Sequence, residues 1–488
     1  MRKGAQYLKA LDDDRYVFVH GARTKKIAEH PGFRGIATTL AKLYDTAADP
    51  AQGMQYLAPE TGEPANRVFA IPRSREDLAT RRAAILKWAR LTHGLVGRSP
   101  DHVGSFLAGF ASHPAFFDGG ARGFGANVKN FYKKLLSEDL YFSYVIIPPQ
   151  IDRSKTASTQ EEAFLQAGVV KERDDGIVIR GAQMLGTGAA VSDWLFVSCI
   201  VPQQPGDEPY ANTFVLPVNT PGLKLYCRPP YALHKERVYD YPLSTRFDES
   251  DALAVFDDVF VPWEQVFVYR DLEKVRAQFF ATPAHVLGNN QAQIRFTAKI
   301  QFLVGLARKI AAANGVDKIP GVIEKLGELA SLASLVEGME LASEAASTLD
   351  PRGVARPNER FLYGAMGLQA ELYPRALQAL RELAGGGPLQ VPSSVVDLEH
   401  PDAGRDLRRY IRSPGSPAEE KIKLFKLAWD LIGTEFGGRH LQYEMFYAGA
   451  PFVAKGYAFR NYGYEQATQL VDAALNDYNM QTAANGNR

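Results

Sequence analysis

The sequence predicts a mainly helical α+β protein, with a helical first part, a compact antiparallel β-domain in the middle and a helical bundle at the end. Apolar residues recur at close to 3.6-residue intervals on both flanks, and between them short β-rich runs alternate with turn residues. The chain has 488 residues, of which 46% are hydrophobic and 23% charged, which lies in the ordinary globular range and is enough for a large core.

The first zone, 1–140, reads as a helical domain. Arg73 to Gly94 places Leu78, Ile85, Leu86, Trp88, Ala89 and Leu91 near a helical repeat, and Ser74 is suited to start that helix. The second zone, 141–270, changes period. Ile177-Val178-Ile179, Trp194 to Val201, Phe214-Val215-Leu216, Leu223-Lys224-Leu225 and Leu253 to Val261 are strand-like. Asp174-Asp175-Gly176, Pro205-Gly206-Asp207 and Pro221-Gly222 supply the turns between them. The third zone, 271–488, is helical again. Val322, Leu326, Leu329, Ala333, Val336 and Met339 trace one face of a helix from Pro320 to Ser347. Further helices read from Gln291 to Ala313, from Glu359 to Leu383 with a break or kink at Pro374, and from Pro417 to Gly433, which together imply a bundle. The tail 481–488 is expected to fray.

Charge and cysteine content narrow the function. With 56 Lys+Arg against 55 Asp+Glu the formal net charge is +1, so no global attraction to nucleic acid or anionic lipid is expected. The two cysteines, Cys199 and Cys227, exclude a disulfide scaffold, a four-cysteine zinc site and any iron–sulfur cluster held by several cysteines; both read as inert core residues. The acidic cluster Asp248, Glu249, Asp251, Asp257 and Asp258 matches no calcium loop, so no metal site is expected, and Asp240 with Arg246 reads as a structural pair. Apolar runs are too short to span a bilayer, and Met1 to Gly4 soon meets Asp12-Asp13-Asp14 without a signal-peptide apolar region; a soluble, cytoplasmic protein is expected. Gly186-Thr187-Gly188 follows an apolar run but leads into another strand, so it is an incomplete dinucleotide fingerprint.

Helical–β–helical order is that of the acyl-CoA dehydrogenase fold, and ordered motif blocks narrow it further. They are Gly97-Arg98-Ser99-Pro100-Asp101; Leu140-Tyr141-Phe142 through Pro148-Pro149-Gln150-Ile151-Asp152-Arg153; the stretch 239–266; and Gly433-Thr434-Glu435-Phe436-Gly437-Gly438-Arg439-His440 followed by Tyr443-Glu444. Together, over almost the whole chain, they resemble the 4-hydroxyphenylacetate 3-monooxygenase family of reduced-flavin-dependent phenol hydroxylases. The stretch Ala284 to Gln291 is similar to the chlorophenol and nitrophenol monooxygenase branch. A sister family, 4-hydroxybutyryl-CoA dehydratase, needs three cysteines and a histidine for its cluster; here Ala292 follows His285 where a cysteine ligand would be wanted, and neither cysteine fits.

The resemblance implies an acyl-CoA-dehydrogenase-like homotetramer. It would be the oxygenase component of a two-component FAD-dependent monooxygenase that ortho-hydroxylates a phenol through a flavin hydroperoxide. A separate NAD(P)H-dependent flavin reductase would supply reduced FAD, since the chain carries no nicotinamide-binding motif. Arg98 is the expected anchor of the phenol oxygen, because a fixed cation favours phenolate, with a helix-terminal salt bridge as the alternative. His102 and Tyr144 carry residue types that many relatives hold in exchanged places; they read as proton acceptor and donor, or as residues that shape the pocket. His285 is the other candidate base, or a structural histidine. For the flavin, the resemblance points to Gln150, Ile151, Asp152, Arg153 and Thr187, with Ser192 as a companion. Arg439, Tyr447, Ala448, Gly449 and Ala450 would close the groove, and Arg295 would either reach the cofactor from a neighbouring subunit or form a structural ion pair. The loop from Gln203 to Asn212 is expected to cover the pocket. An acyl-thioester flavin dehydrogenase or a non-catalytic flavin-binding protein are the alternative functions, and the phenol stays open among simple, halogenated, nitro and tyrosine-like compounds.

Overall fold

The Ala284–Ala313 helix is buried on nearly every side from Ala284 to Ile300, which marks a helix surrounded by protein rather than one lying on the surface. In the computed structural model, which describes residues 1–119 and 122–478, it packs against the helices Arg75–Leu91, Pro100–Ser112, Pro320–Ala345 and Glu359–Ala384. The tail 481–488 lies outside the described residues. The fold is mainly helical α+β, with helices either side of a central β-region.

Local chemistry explains the helix limits. The Ser74 hydroxyl accepts the Asp77 N–H at 3.0 Å, while Glu76 and Asp77 place negative charge in the first turn. The helix stops before His93 and Gly94, both in the left-handed region. Pro100 occupies the first turn of the next helix, where its missing N–H costs nothing. That helix approaches the central one through glycines: a Cβ at Gly109 would overlap the Ala284 backbone, and one at Gly288 would overlap the Phe106 ring. The Glu359–Ala384 helix continues through Pro374 rather than breaking there, the other expected outcome being a kink.

The central strands form two sheets. The six-stranded sheet runs Ala22–Thr24, Tyr16–Val19, Leu223–Cys227, Ala252–Pro262, Gly176–Gln183, Gly168–Arg173. The four-stranded sheet runs Val266–Val268, Thr213–Pro217, Trp194–Val197, Phe142–Val145. Two features depart from the expected antiparallel domain and helical first zone. Tyr16–Val19 enters the larger sheet parallel to Leu223–Cys227, with Tyr16 opposite Lys224, and Phe142–Val145 runs parallel to Trp194–Val197. Both are short strands whose partners lie far along the chain, beyond any local periodicity.

The expected Asp240–Arg246 pair does not form. Asp240 instead meets Lys426 at 2.8 Å, while Arg246 donates to the Pro242 carbonyl. Cys199 is buried, Cys227 is half-buried, and burial pushes their thiols up to about 11 and about 12, which leaves them protonated and unreactive. Among the described residues no helix is long and apolar enough to cross a membrane.

Candidate active site

Arg98 stands just before the Pro100–Ser112 helix with its backbone held at both ends. Its N–H donates to Glu249 Oε1 at 2.6 Å, and its carbonyl accepts the Tyr141 hydroxyl at 2.8 Å. The side chain is 8% exposed. Its guanidinium carbon lies 4.9, 5.2 and 4.8 Å from the ring centres of Tyr144, Tyr443 and Tyr447, where ring faces attract a cation. Tyr144 comes from the edge strand Phe142–Val145; Tyr443 sits on the Glu435–Phe446 helix and Tyr447 just after it, one turn further on. Only a glycine at position 97 lets the Tyr443 ring lie so close, because a Cβ there would overlap its hydroxyl.

Burial opposes the charge on Arg98, but Tyr144, Tyr443, Tyr447 and Glu249 keep it firmly protonated. Glu249 is ion-paired with Arg439 at 3.4 Å. Among the described residues no carboxylate forms a salt bridge with the Arg98 guanidinium.

His102, fully buried, places Nε2 2.6 Å from Arg98 Nη1 and Nδ1 3.0 Å from Gln291 Oε1. Burial and then the Arg98 charge depress its basicity well below that of an ordinary histidine. His285 occupies an adjoining box, with ring centres of Phe280, Tyr457 and Tyr363 at 4.4, 5.1 and 5.4 Å and Nδ1 2.9 Å from the Tyr363 hydroxyl. Burial alone lowers its pKa to about 3. Asn289 joins the two boxes: its Nδ2 donates to the His285 carbonyl at 2.7 Å, and its Oδ1 accepts the Tyr447 hydroxyl at 2.9 Å. Arg98, His102, Tyr144 and Tyr447 thus converge, and His285 lies next door.

The segments expected to hold the flavin present a mixed surface. The Gln150–Arg153 loop leaves the edge strand beside Met184, whose N–H donates to the Ile147 carbonyl at 2.8 Å. Ile151 is 56% exposed and Leu185 53% exposed, with exposed Gln150 and Arg153 alongside Ile151. Asp152 organises the loop, its Oδ1 accepting the Ser154 hydroxyl at 2.6 Å and backbone N–H at 3.0 Å. Asp207, in the loop from Gln203 to Asn212, accepts the Ser158 N–H at 2.7 Å and so ties that loop to the one bearing Gln150. Ala448, Gly449 and Ala450 form the turn into the Pro451–Asn461 helix, with Gly449 at φ 89°.

Thr187 and Arg439 are linked through one carboxylate. The Thr187 hydroxyl donates to Asp251 Oδ1 at 2.6 Å, which also accepts Arg439 Nη2 at 2.8 Å, while Arg228 reaches Oδ2 at 2.8 Å. Burial works against the Asp251 charge, but Arg439 and Arg228 hold its pKa far below the usual range. Thr187 therefore retains only acceptor capacity, and Arg439 is committed to Asp251 and Glu249.

Ser192 departs from its expected place, and Arg295 takes one of its two expected alternatives. Ser192 is fully buried and its hydroxyl is taken by the carbonyls of Ala189 and Trp194, so it cannot reach a cofactor. Arg295 is 1% exposed and clasps both oxygens of Glu444, which also accepts Lys299 Nζ at 2.8 Å; it is a structural ion pair. Tyr443, Asn289, Gln291 and Glu249 had no assigned role in the sequence. The four-residue spacing of Tyr443 and Tyr447 was the legible signal for one shared face.

The sequence profile described as 4-hydroxyphenylacetate 3-hydroxylase N terminal matches residues 3–268, and the C-terminal profile matches 275–476. The chain belongs to the 4-hydroxyphenylacetate 3-hydroxylase family. It is 36% identical over 456 residues to the 4-hydroxyphenylacetate 3-monooxygenase oxygenase component of Pseudomonas aeruginosa, covering 92% of this chain and 86% of that one. It is 33% identical over 455 residues to the 4-nitrophenol 2-monooxygenase oxygenase component of a Rhodococcus species, covering 91% and 86%. The crystal structure of a 4-hydroxyphenylacetate 3-monooxygenase oxygenase component, complexed with FAD and 4-hydroxyphenylacetate, superposes with a TM-score of 0.92 at 32% identity, over 98% of this chain and 99% of that one. The family likeness therefore spans both the N-terminal segment that carries Arg98, His102 and Tyr144 and the C-terminal segment that carries His285 and Tyr447.

Proposed function

We propose that this chain is the oxygenase component of a two-component monooxygenase that uses reduced FAD and dioxygen to ortho-hydroxylate a phenol. The observation that carries the reading is Arg98, a buried cation ringed by three tyrosine faces and unpaired with any carboxylate among the described residues. A buried unpaired charge is costly, and an aromatic anion relieves that cost while filling an aromatic space.

The donor set fits FAD. Exposed Ile151 and Leu185 suit a ring face, Gln150 suits a polar edge, and Arg153 suits a phosphate. The buried Tyr443 hydroxyl, without a hydrogen-bond partner among the described residues, is free to donate beside Arg98. When bound, reduced FAD supplies the electrons that split dioxygen, one oxygen atom going to the ring and the other leaving as water. The protein's part is to present the ring and keep water out. Arg98 favours the phenolate, whose ortho carbon is electron-rich. His285 is a weak base: with a pKa of about 3, taking the proton of a phenol of ordinary acidity lies about seven units uphill. Ionisation therefore depends on the Arg98 charge. Tyr144, Tyr443 and Tyr447 wall the site against bulk water, which would divert the activated oxygen.

The acyl-thioester alternative needs a free carboxylate base. Glu249, which accepts the Arg98 N–H, and Asp251, which accepts the Thr187 hydroxyl, are both held in ion pairs. The partner remains an NAD(P)H-dependent flavin reductase. A homotetramer is supported by Phe452, Phe459 and Leu470, exposed by 77%, 64% and 74% on the last helices. Free Cys199 and Cys227 suit a reducing, cytoplasmic compartment.

The test is rapid mixing of the protein and reduced FAD with oxygen, with and without a panel of phenols. A transient near-ultraviolet absorbance that decays faster with one phenol, with catechol or quinol as product, is expected. Direct flavin reoxidation with no transient and no hydroxylated product would sink the reading.

A further inference from the structure

We propose that His102 and Gln291 are positioning residues for Arg98: Gln291 locks His102 in the tautomer protonated at Nδ1, so that Nε2 accepts a hydrogen bond from the guanidinium and fixes its orientation. The inference rests on the hydroxylase reading and deepens it.

The assignment follows from what each group can do. A guanidinium only donates and stays protonated in proteins. At 2.6 Å from Arg98 Nη1, His102 Nε2 must therefore be the acceptor. A neutral imidazole has one proton, which then sits on Nδ1 and points at Gln291 Oε1, 3.0 Å away. Turning the Gln291 amide over would set N–H against N–H, so the amide is fixed as well. Both side chains are fully buried, and no water competes for either bond. The ring is further clamped by Phe106 at 5.3 Å and Tyr144 at 5.5 Å.

His102 is thereby removed from the list of bases. Its single lone pair is occupied by Arg98. Protonating it would break that bond and set two cations side by side in a buried site. The bond also consumes an N–H of Arg98 on one side, leaving others for the substrate oxygen. Gln291 is one of three consecutive amides on the central helix, each serving the same neighbourhood: Asn289 holds Tyr447, Asn290 accepts Arg81 Nη1 at 3.2 Å, and Gln291 holds His102.

A glutamine in place of His102 can reproduce both bonds, its oxygen accepting from Arg98 and its N–H donating to Gln291, yet it has no basicity. The experiment titrates 4-nitrophenol, whose phenolate absorbs in the visible, into the full-length protein and into the His102→Gln, His102→Leu and Gln291→Leu variants across pH, with thermal unfolding as the check on folding. The expected result is that His102→Gln keeps phenolate affinity to within about threefold, while His102→Leu and Gln291→Leu lose about 10- to 100-fold, the usual effect of removing an orienting partner. In turnover assays kcat is expected to follow the same order. Equal loss in His102→Gln and His102→Leu, with both folded, would overturn the inference and restore His102 as a base. If His102→Leu fails to fold, His102→Gln against wild type decides alone. A wild-type protein that hydroxylates phenols while His102→Gln is inactive sinks only this inference; a wild-type protein that neither binds phenolate nor hydroxylates sinks the functional reading with it.

Discussion

Glu249 accepts the backbone N–H of Arg98 at 2.6 Å, and its other oxygen accepts that of Gly97 at 2.8 Å. A carboxylate from the strand-bearing region thus fixes where the Pro100–Ser112 helix begins, and with it where the guanidinium can reach. The acid is 2% exposed, and burial raises its pKa despite Arg439 and the two N–H groups.

Glu249→Gln should therefore act at a distance from the substrate. The amide keeps one acceptor oxygen and loses the charge that pairs with Arg439. We expect a loss of about 2–4 kcal/mol in stability, read by denaturant unfolding, and a fall in the pH at which a bound phenol ionises, because a neighbouring negative charge is gone, read by absorbance.

Arg98→Lys keeps the charge but removes the planar fork. The ammonium cannot serve His102 and a phenolate in the same geometry, so kcat/KM for phenol hydroxylation should fall by about 100-fold or more, with little change in thermal unfolding. Undiminished turnover in this variant would remove Arg98 from the mechanism.

His285 makes stability depend on pH. Its pKa is about 3 in the folded state and about 6.5 in an unfolded chain. As pH falls below about 6.5 the unfolded chain takes up the proton first, so this contribution to stability declines from there down to about pH 3. His285→Phe should flatten the fall in unfolding midpoint between pH 6.5 and 4, and should shift KM more than kcat if the ring only shapes the adjoining box.

Leu185 holds φ at 62° while 53% exposed, an unfavourable backbone for a leucine. Leu185→Gly should relieve about 1 kcal/mol of strain, seen as a higher Tm. If the side chain covers the flavin ring, the same change should weaken FAD binding several-fold by equilibrium titration. A higher Tm with undiminished FAD binding would show that the leucine does not cover the flavin.

The helices Arg75–Leu91 and Pro320–Ala345 were legible because each buries one face locally: Ser74 capped where expected, and the apolar row from Val322 to Met339 lies on one helix. Arg98 and His102 were legible as neighbours four residues apart in the sequence. The tyrosine cage was not, since Tyr144 and Tyr443 are brought to Arg98 by sheet pairing and helix packing across some three hundred residues. Asp240 was assigned the nearer Arg246, whereas the fold supplied Lys426 from far along the chain. Arg295 was visible as a charge on a helix, but whether it faced a cofactor or Glu444 depended on where the Glu435–Phe446 helix docked.

The pairing of Tyr16 with Lys224 also sets a timetable for biosynthesis. At a translation rate of about 5–20 residues per second, the first strand leaves the ribosome roughly 10–40 s before its partner exists. Throughout that interval the nascent chain carries an unzipped edge, and closing so long a loop is entropically slow. The larger sheet is thus closed by its two middle strands, Leu223–Cys227 and Ala252–Pro262, which follow both outer hairpins in the chain, and Tyr16–Val19 waits longest for its partner.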